Sequence, residues 1–177
     1  DLYDAVVKTT MSRFSWLLLH LICAMTAAYV ISLFQVQIEQ LVVLAVLMPV
    51  VATMGGAASV QALTVSVRGI AMKEVNPSNT IRTIGKEAMV GLLNGLIFAL
   101  MISIISWFWF GSVALGVVIA MAIMINLFVA GLSGSALPIL LQKMGYDPAV
   151  ASSAFLTSIT DIVGFYVFLG LGAIVLL

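Results

Sequence analysis

The residues best suited to chemistry lie in one stretch, Ser152-Ser153-Ala154-Phe155-Leu156-Thr157-Ser158-Ile159-Thr160-Asp161-Ile162-Val163-Gly164. Asp161 is the only acidic residue set well inside an apolar segment. An ionised carboxylate there is costly, and such groups usually face a bundle interior or a water-filled path. On a helix, Asp161 shares a face with Thr157, Ser158, Ala154 and Ser153, and Gly164 lies one turn on. A narrow stripe of hydroxyls and small side chains with one negative charge suits a hydrated cation. The plainer reading is a carboxylate that hydrogen-bonds a neighbouring helix, because membrane helices use polar residues as glue. No Lys or Arg lies at comparable depth to neutralise Asp161. Unpaired intramembrane carboxylates mark ion or proton pathways, so the cation reading is preferred.

Other chemistry is poorly supplied. His20 and Cys23 are the sole histidine and the sole cysteine. One histidine completes neither a catalytic triad nor a zinc or iron site, and one cysteine makes no disulfide framework. No phosphate-binding, dinucleotide-binding or nucleophile-elbow pattern is present. The chain is therefore not expected to be an enzyme. Of its 177 residues, 63% are hydrophobic and 8% charged, a composition far from that of a soluble domain. An all-α, multi-pass protein of the cell (inner) membrane is expected, with the lipid bilayer as its surroundings. The formal net charge is zero and no basic tract suggests nucleic acid.

These residues have to be positioned by membrane-crossing helices, each about 20 residues or more. Residues 1–13 carry Asp1, Asp4, Lys8 and Arg13 among apolar side chains. They read as an amphipathic juxtamembrane helix, lying on the surface, leading into the first span, or coupling to a soluble domain upstream. They lack the layout of a signal peptide. Residues 14–177 read as a five-helix transmembrane domain with spans at about 14–34, 41–67, 88–108, 113–140 and 148–177. Gln35 to Gln40 is a short polar link, so spans one and two are expected to form a hairpin.

Span two holds Pro49, then Gly55-Gly56-Ala57-Ala58-Ser59 and Gln61. Such a helix can bend, free carbonyls and admit another backbone, either for close packing or to line a cavity. Arg68, Lys73, Glu74, Arg82, Lys86 and Glu87 read as a solvated connection, with Ser78 a candidate cap. Trp107-Phe108-Trp109-Phe110-Gly111-Ser112 divides the charge-free run from Ala88 to Gln142. Asn94 and Asn126 are read as interhelical hydrogen-bonding groups first and ion contacts second. Asp147-Pro148 suits a helix start. All 7 Lys and Arg fall in the N-terminal segment, the 2–3 connection or the 4–5 connection. The positive-inside rule then puts the N-terminus in the cytoplasm and the C-terminus outside.

Gly55-Gly56 followed by Gln61, Thr64 and Arg68 resembles the second-helix signature of the MgtE family of magnesium channels. Gly145-x-Asp147-Pro148-Ala149 and Thr160-Asp161-x-x-Gly164 resemble its closing pattern, and the five-helix plan covers nearly the whole chain. The resemblance implies a homodimer whose cation path runs along the dimer axis between helices two and five. It implies that Asp161 holds Mg2+, the transported ion, largely through coordinated water, with contributions at Gly55, Gly56, Ser153 and Thr157. It also implies N-terminal cytoplasmic magnesium-sensing domains, CBS modules among them, that this chain does not contain. The sequence departs from the family pattern at Ala57 and Val60, where asparagines are usual, and at Ser153-Ala154, where Asn-Pro is usual.

The expectation is thus a homodimeric channel for passive magnesium influx, with conduction falling as its carboxylates protonate. The alternatives are a proton-coupled divalent-cation transporter working through Asp161, and a membrane scaffold whose small-residue helices only assemble.

Overall fold

The computed structural model describes residues 6–76 and 78–177. Six helices follow in order: α1 Val6–Ser32, α2 Gln35–Gln40, α3 Val42–Ala71, α4 Thr80–Phe110, α5 Val113–Lys143 and α6 Pro148–Val175. All but α2 are long and apolar enough to cross a membrane, so 5 spans are present among the described residues. The chain is an all-helical, multi-pass membrane protein. Val6 to Arg13 run straight into α1 with no break, and residues 1–5 of the expected juxtamembrane helix lie outside the described residues.

Helix α5 is the centre. Leu115, Val118, Ile119, Ala122, Ile123, Leu127 and Ala130 are all buried, and α3, α4 and α6 pack around this helix. Small residues set the distances. Gly91 and Gly95 of α4 lie against α5 so closely that an added Cβ would meet the backbone of Leu127 and Met124. Gly131 of α5 returns the contact onto the Glu87 backbone. On the other side, a Cβ on Gly134 would come 2.7 Å from the Ser59 carbonyl of α3. Lipid tails are as apolar as leucine, so such close backbone approach, rather than apolar burial, draws membrane helices together. The large apolar side chains point outward instead: Leu93, Ile97, Leu100, Ile104 and Phe108 of α4 are exposed, as lipid-facing residues should be.

The expected hairpin of spans one and two does not form. Helix α1 packs on α6 and makes at most marginal contact with α3. The link is itself the short helix α2, held in part by Gln35 donating to Glu39 at 2.9 Å. That extra turn carries the chain sideways, and Phe34 meets Tyr166 of α6 edge-on with centroids 5.9 Å apart. Helix α4 begins at Thr80, so Arg82, Lys86 and Glu87 are helical rather than part of a loop. Asn79, not Ser78, occupies its cap. Its side chain ties the preceding turn, accepting from the Asn76 N–H at 2.7 Å and donating to the Glu74 carbonyl at 2.8 Å. Gly111, at φ 69°, closes α4 in the left-handed conformation that a side chain disfavours, and Ser112 caps α5 by accepting from the Leu115 N–H at 3.2 Å. Pro49 and Pro138 sit inside α3 and α5, which continue through them.

Candidate cation site

Helix α6 buries Ser152, Leu156, Thr160, Gly164, Phe168 and Gly172, a row with a spacing of four that winds around the helix. Asp161 lies beside this row and is half-buried. Thr157, one turn earlier, is exposed, and Ser153 is partly buried. Among the described residues nothing hydrogen-bonds to the Asp161 carboxylate and no cation pairs with it. The hydroxyls nearby are tied to their own helix: Thr157 donates to the Ser153 carbonyl at 3.1 Å and Thr160 to the Leu156 carbonyl at 3.0 Å. Their oxygens keep lone pairs for an ion or its water.

Gly55 and Gly56 differ sharply. Gly55 is buried, and a Cβ on it would run into the amide of Asn126. Gly164 of α6 meets the same amide, its Cβ position lying 2.6 Å from Nδ2. Asn126 is fully buried, wedged between these two glycines, and donates from Nδ2 to the Val51 carbonyl at 3.0 Å. It is the interhelical group expected of it, joining α5, α3 and α6. Its Oδ1 has no partner among the described residues. Gly56 faces open space, with nothing within 4 Å of its Cβ position. Its carbonyl accepts from Ser59 Oγ at 2.8 Å. Beyond Gly56 the open side of α3 presents Thr53, Ala57, Val60, Thr64 and Arg68, all exposed.

Helices α3 and α6 run antiparallel. Gly172 packs on Leu44 and Gly164 on Val51, which puts Asp161 about one turn further along, at the level of the Gly55-Gly56 pair. The structure therefore brings Gly55, Asn126 and Gly164 into contact and sets Asp161 and Gly56 at one depth. Thr157 and Ser153 follow on the loop side of Asp161. No group of 3 or more His, Cys, Asp and Glu gathers among the described residues, and no second carboxylate hydrogen-bonds or pairs with Asp161 among them. Such a site suits an ion that keeps its water rather than one stripped into a closed cage.

Glu87 escaped the sequence reading, which left it in a solvated loop. It is 9% exposed, between α4 and its neighbours. The signal was its spacing: Glu87, Gly91, Gly95 and Ala99 repeat every fourth residue and form one packing face.

A family profile described as MgtE, divalent cation transporter, matches residues 48–171. Three curated relatives are all called magnesium transporter MgtE. That of Bacillus subtilis is 33% identical over 90% of this chain and 35% of its own length. That of Enterococcus faecalis is 35% identical over 94% of this chain and 37% of its own length. That of Thermus thermophilus is 28% identical over 96% of this chain and 38% of its own length. The chain thus spans little more than a third of these relatives.

Proposed function

This chain belongs to the MgtE family of divalent cation transporters, and on that premise we propose that it forms the membrane pore of a homodimeric magnesium channel. Two copies meet across the open side of α3 and the Asp161 side of α6. Magnesium enters passively along the axis between them. Asp161 from each copy holds the ion through its water shell, because magnesium sheds water reluctantly and prefers oxygen partners. Ser153 and Thr157 add hydroxyl oxygen below, and Gly56 lets the wall come close. Gly55 acts one step back, by admitting Asn126 and so fixing α3 against α5. The N-terminus lies in the cytoplasm, a placement that the Lys and Arg distribution supports, and regulatory domains preceding the chain couple to α1.

The observation that carries this reading is the half-buried, unpartnered carboxylate of Asp161 at the depth of Gly56. Lipid would leave that charge uncompensated, whereas a second copy and a hydrated cation supply both cover and charge. The test is magnesium uptake into proteoliposomes under a magnesium gradient, with and without a protonophore. Uptake that follows the magnesium gradient and ignores the protonophore is expected. Uptake driven by a pH gradient and abolished by the protonophore would instead identify a coupled transporter using Asp161 as its proton carrier.

A further inference from the structure

Away from Asp161, a groove runs where α4 and α6 flank α5. Both helices pack on α5 and make at most marginal contact with each other. The gap between them is a cavity of about 420 Å³. Its walls are Ile84 of α4 and Ile159 of α6, and its floor is Ala136, Leu137 and Leu140 of α5. Its polar lining is Ser133, Thr80 and Lys143. Ser133 Oγ donates to the Val129 carbonyl at 2.6 Å and Thr80 Oγ1 to the Asn76 carbonyl at 2.9 Å, so both hydroxyl protons are used within the chain. Lys143, in the last turn of α5, is exposed and makes no ion pair among the described residues. The groove is thus an apolar channel with one cation at its mouth.

We propose that this groove binds one anionic phospholipid, with an acyl chain along α5 between Ile84 and Ile159 and the headgroup on the Lys143 ammonium. A cavity of this size is in the range that holds an organic ligand. A water-soluble anion would gain nothing from the apolar floor, and an uncharged hydrocarbon nothing from the lysine. A lipid of net negative charge uses both. The four-carbon stem of Lys143 can lie along apolar surface while its ammonium reaches the headgroup level. The same end of the bundle carries Arg68, Lys73, Arg82 and Lys86, whereas its acids, Glu74, Glu87 and Asp147, do not line the groove. In the orientation proposed above this is the cytoplasmic end, where basic pockets between membrane helices take anionic headgroups. A second copy does not compete for the groove. Ile159 and Asp161 lie about 200° apart around α6, so a dimer formed on the Asp161 side leaves the groove facing lipid. The site does not depend on what the pore conducts. A chain lodged there would join α4 to α6, which otherwise meet chiefly through α5.

The experiment is native mass spectrometry of the purified chain in detergent, titrated with phosphatidylglycerol or with phosphatidylcholine of the same acyl chains. One phosphatidylglycerol per chain is expected to bind about fivefold more tightly than phosphatidylcholine, the gain from one lysine at a headgroup. Lys143→Gln should abolish that preference. Lys86→Gln, at the same end but off the groove, should keep it. Ala136→Phe, which fills the floor, should weaken both lipids. Lys143 is exposed, so its variant leaves the core untouched and decides the matter if Ala136→Phe does not yield a monodisperse protein. Equal binding of the two lipids by the native chain, or a preference that survives Lys143→Gln, would overturn the proposal. So would an Ala136→Phe chain that loses its dimer yet keeps the lipid, which would give the groove to a second copy. A chain that is monomeric throughout but keeps the Lys143-dependent preference would leave the groove standing and sink the dimer reading.

Discussion

At the scale of single residues, Asn126 is the joint on which the site depends. Its amide reaches α3 through the Val51 carbonyl and fits only because positions 55 and 164 carry no side chain. Gly55→Ala should therefore force the Asn126 amide from its place and destabilise the fold by about 1–3 kcal/mol, the usual cost of overpacking a filled site. Thermal unfolding in detergent will read this as a lower midpoint. Gly56→Ala should leave that midpoint unchanged or raise it slightly, since nothing stands within 4 Å of its Cβ position. If the pore runs past Gly56, the same variant should reduce magnesium flux. An equal loss of stability in both variants would remove the distinction drawn between the two glycines. Asp161 was legible in the sequence because a lone acid in an apolar segment is conspicuous. The opposite facing of Gly55 and Gly56 was not, because neighbours in sequence differ by a helical angle that only packing makes meaningful. Glu87 was hidden for a related reason. Charges near a span's end normally belong to the solvated connection, and only the glycines one and two turns later tell of a buried face.

At the scale of elements, the α4–α5 contact is made by glycine against backbone, and two faces of α4 test it. Gly91→Val should push α4 off Leu127 and lower thermal stability by about 1–3 kcal/mol. Gly85→Ala, on an open face of the same helix, should be neutral or raise stability by up to about 1 kcal/mol through helix propensity alone. A stability loss from Gly85→Ala would mean that α4 has another neighbour on that face. Five membrane-crossing helices, the Trp-Phe-Trp-Phe-Gly-Ser turn and the Pro148 start of α6 could all be read from hydropathy and turn residues, signals local to each segment. The early start of α4 could not, because charged residues are as compatible with a helix extending past the hydrocarbon as with a loop. Nor could the partner of α1. A short link suggests a hairpin, but α2 takes up the turn, and the choice of α6 over α3 is settled by side-chain fit between distant segments.

At the scale of the whole molecule, the account requires a second copy. Thr53, Ala57 and Thr64 on α3 and Thr157 on α6 are small or hydroxyl-bearing and exposed in the single chain, and small and polar residues are what membrane helices use to pack on one another. In a Cys23→Ser background, Thr157→Cys should cross-link two chains in membranes under oxidation, whereas Ile104→Cys on the lipid side of α4 should not. Cross-linking through position 104 alone would move the dimer face elsewhere. Acidification should lower magnesium flux reversibly, since protonated Asp161 carries no charge to hold the ion. A pH-independent flux would count against that role. The most direct measurement is magnesium uptake into proteoliposomes by the native chain and by Asp161→Ala, with the oligomeric state of each checked in detergent. The account predicts uptake by the native chain and a silent variant that still forms dimers. A dimeric Asp161→Ala that conducts magnesium as well as the native chain would contradict it.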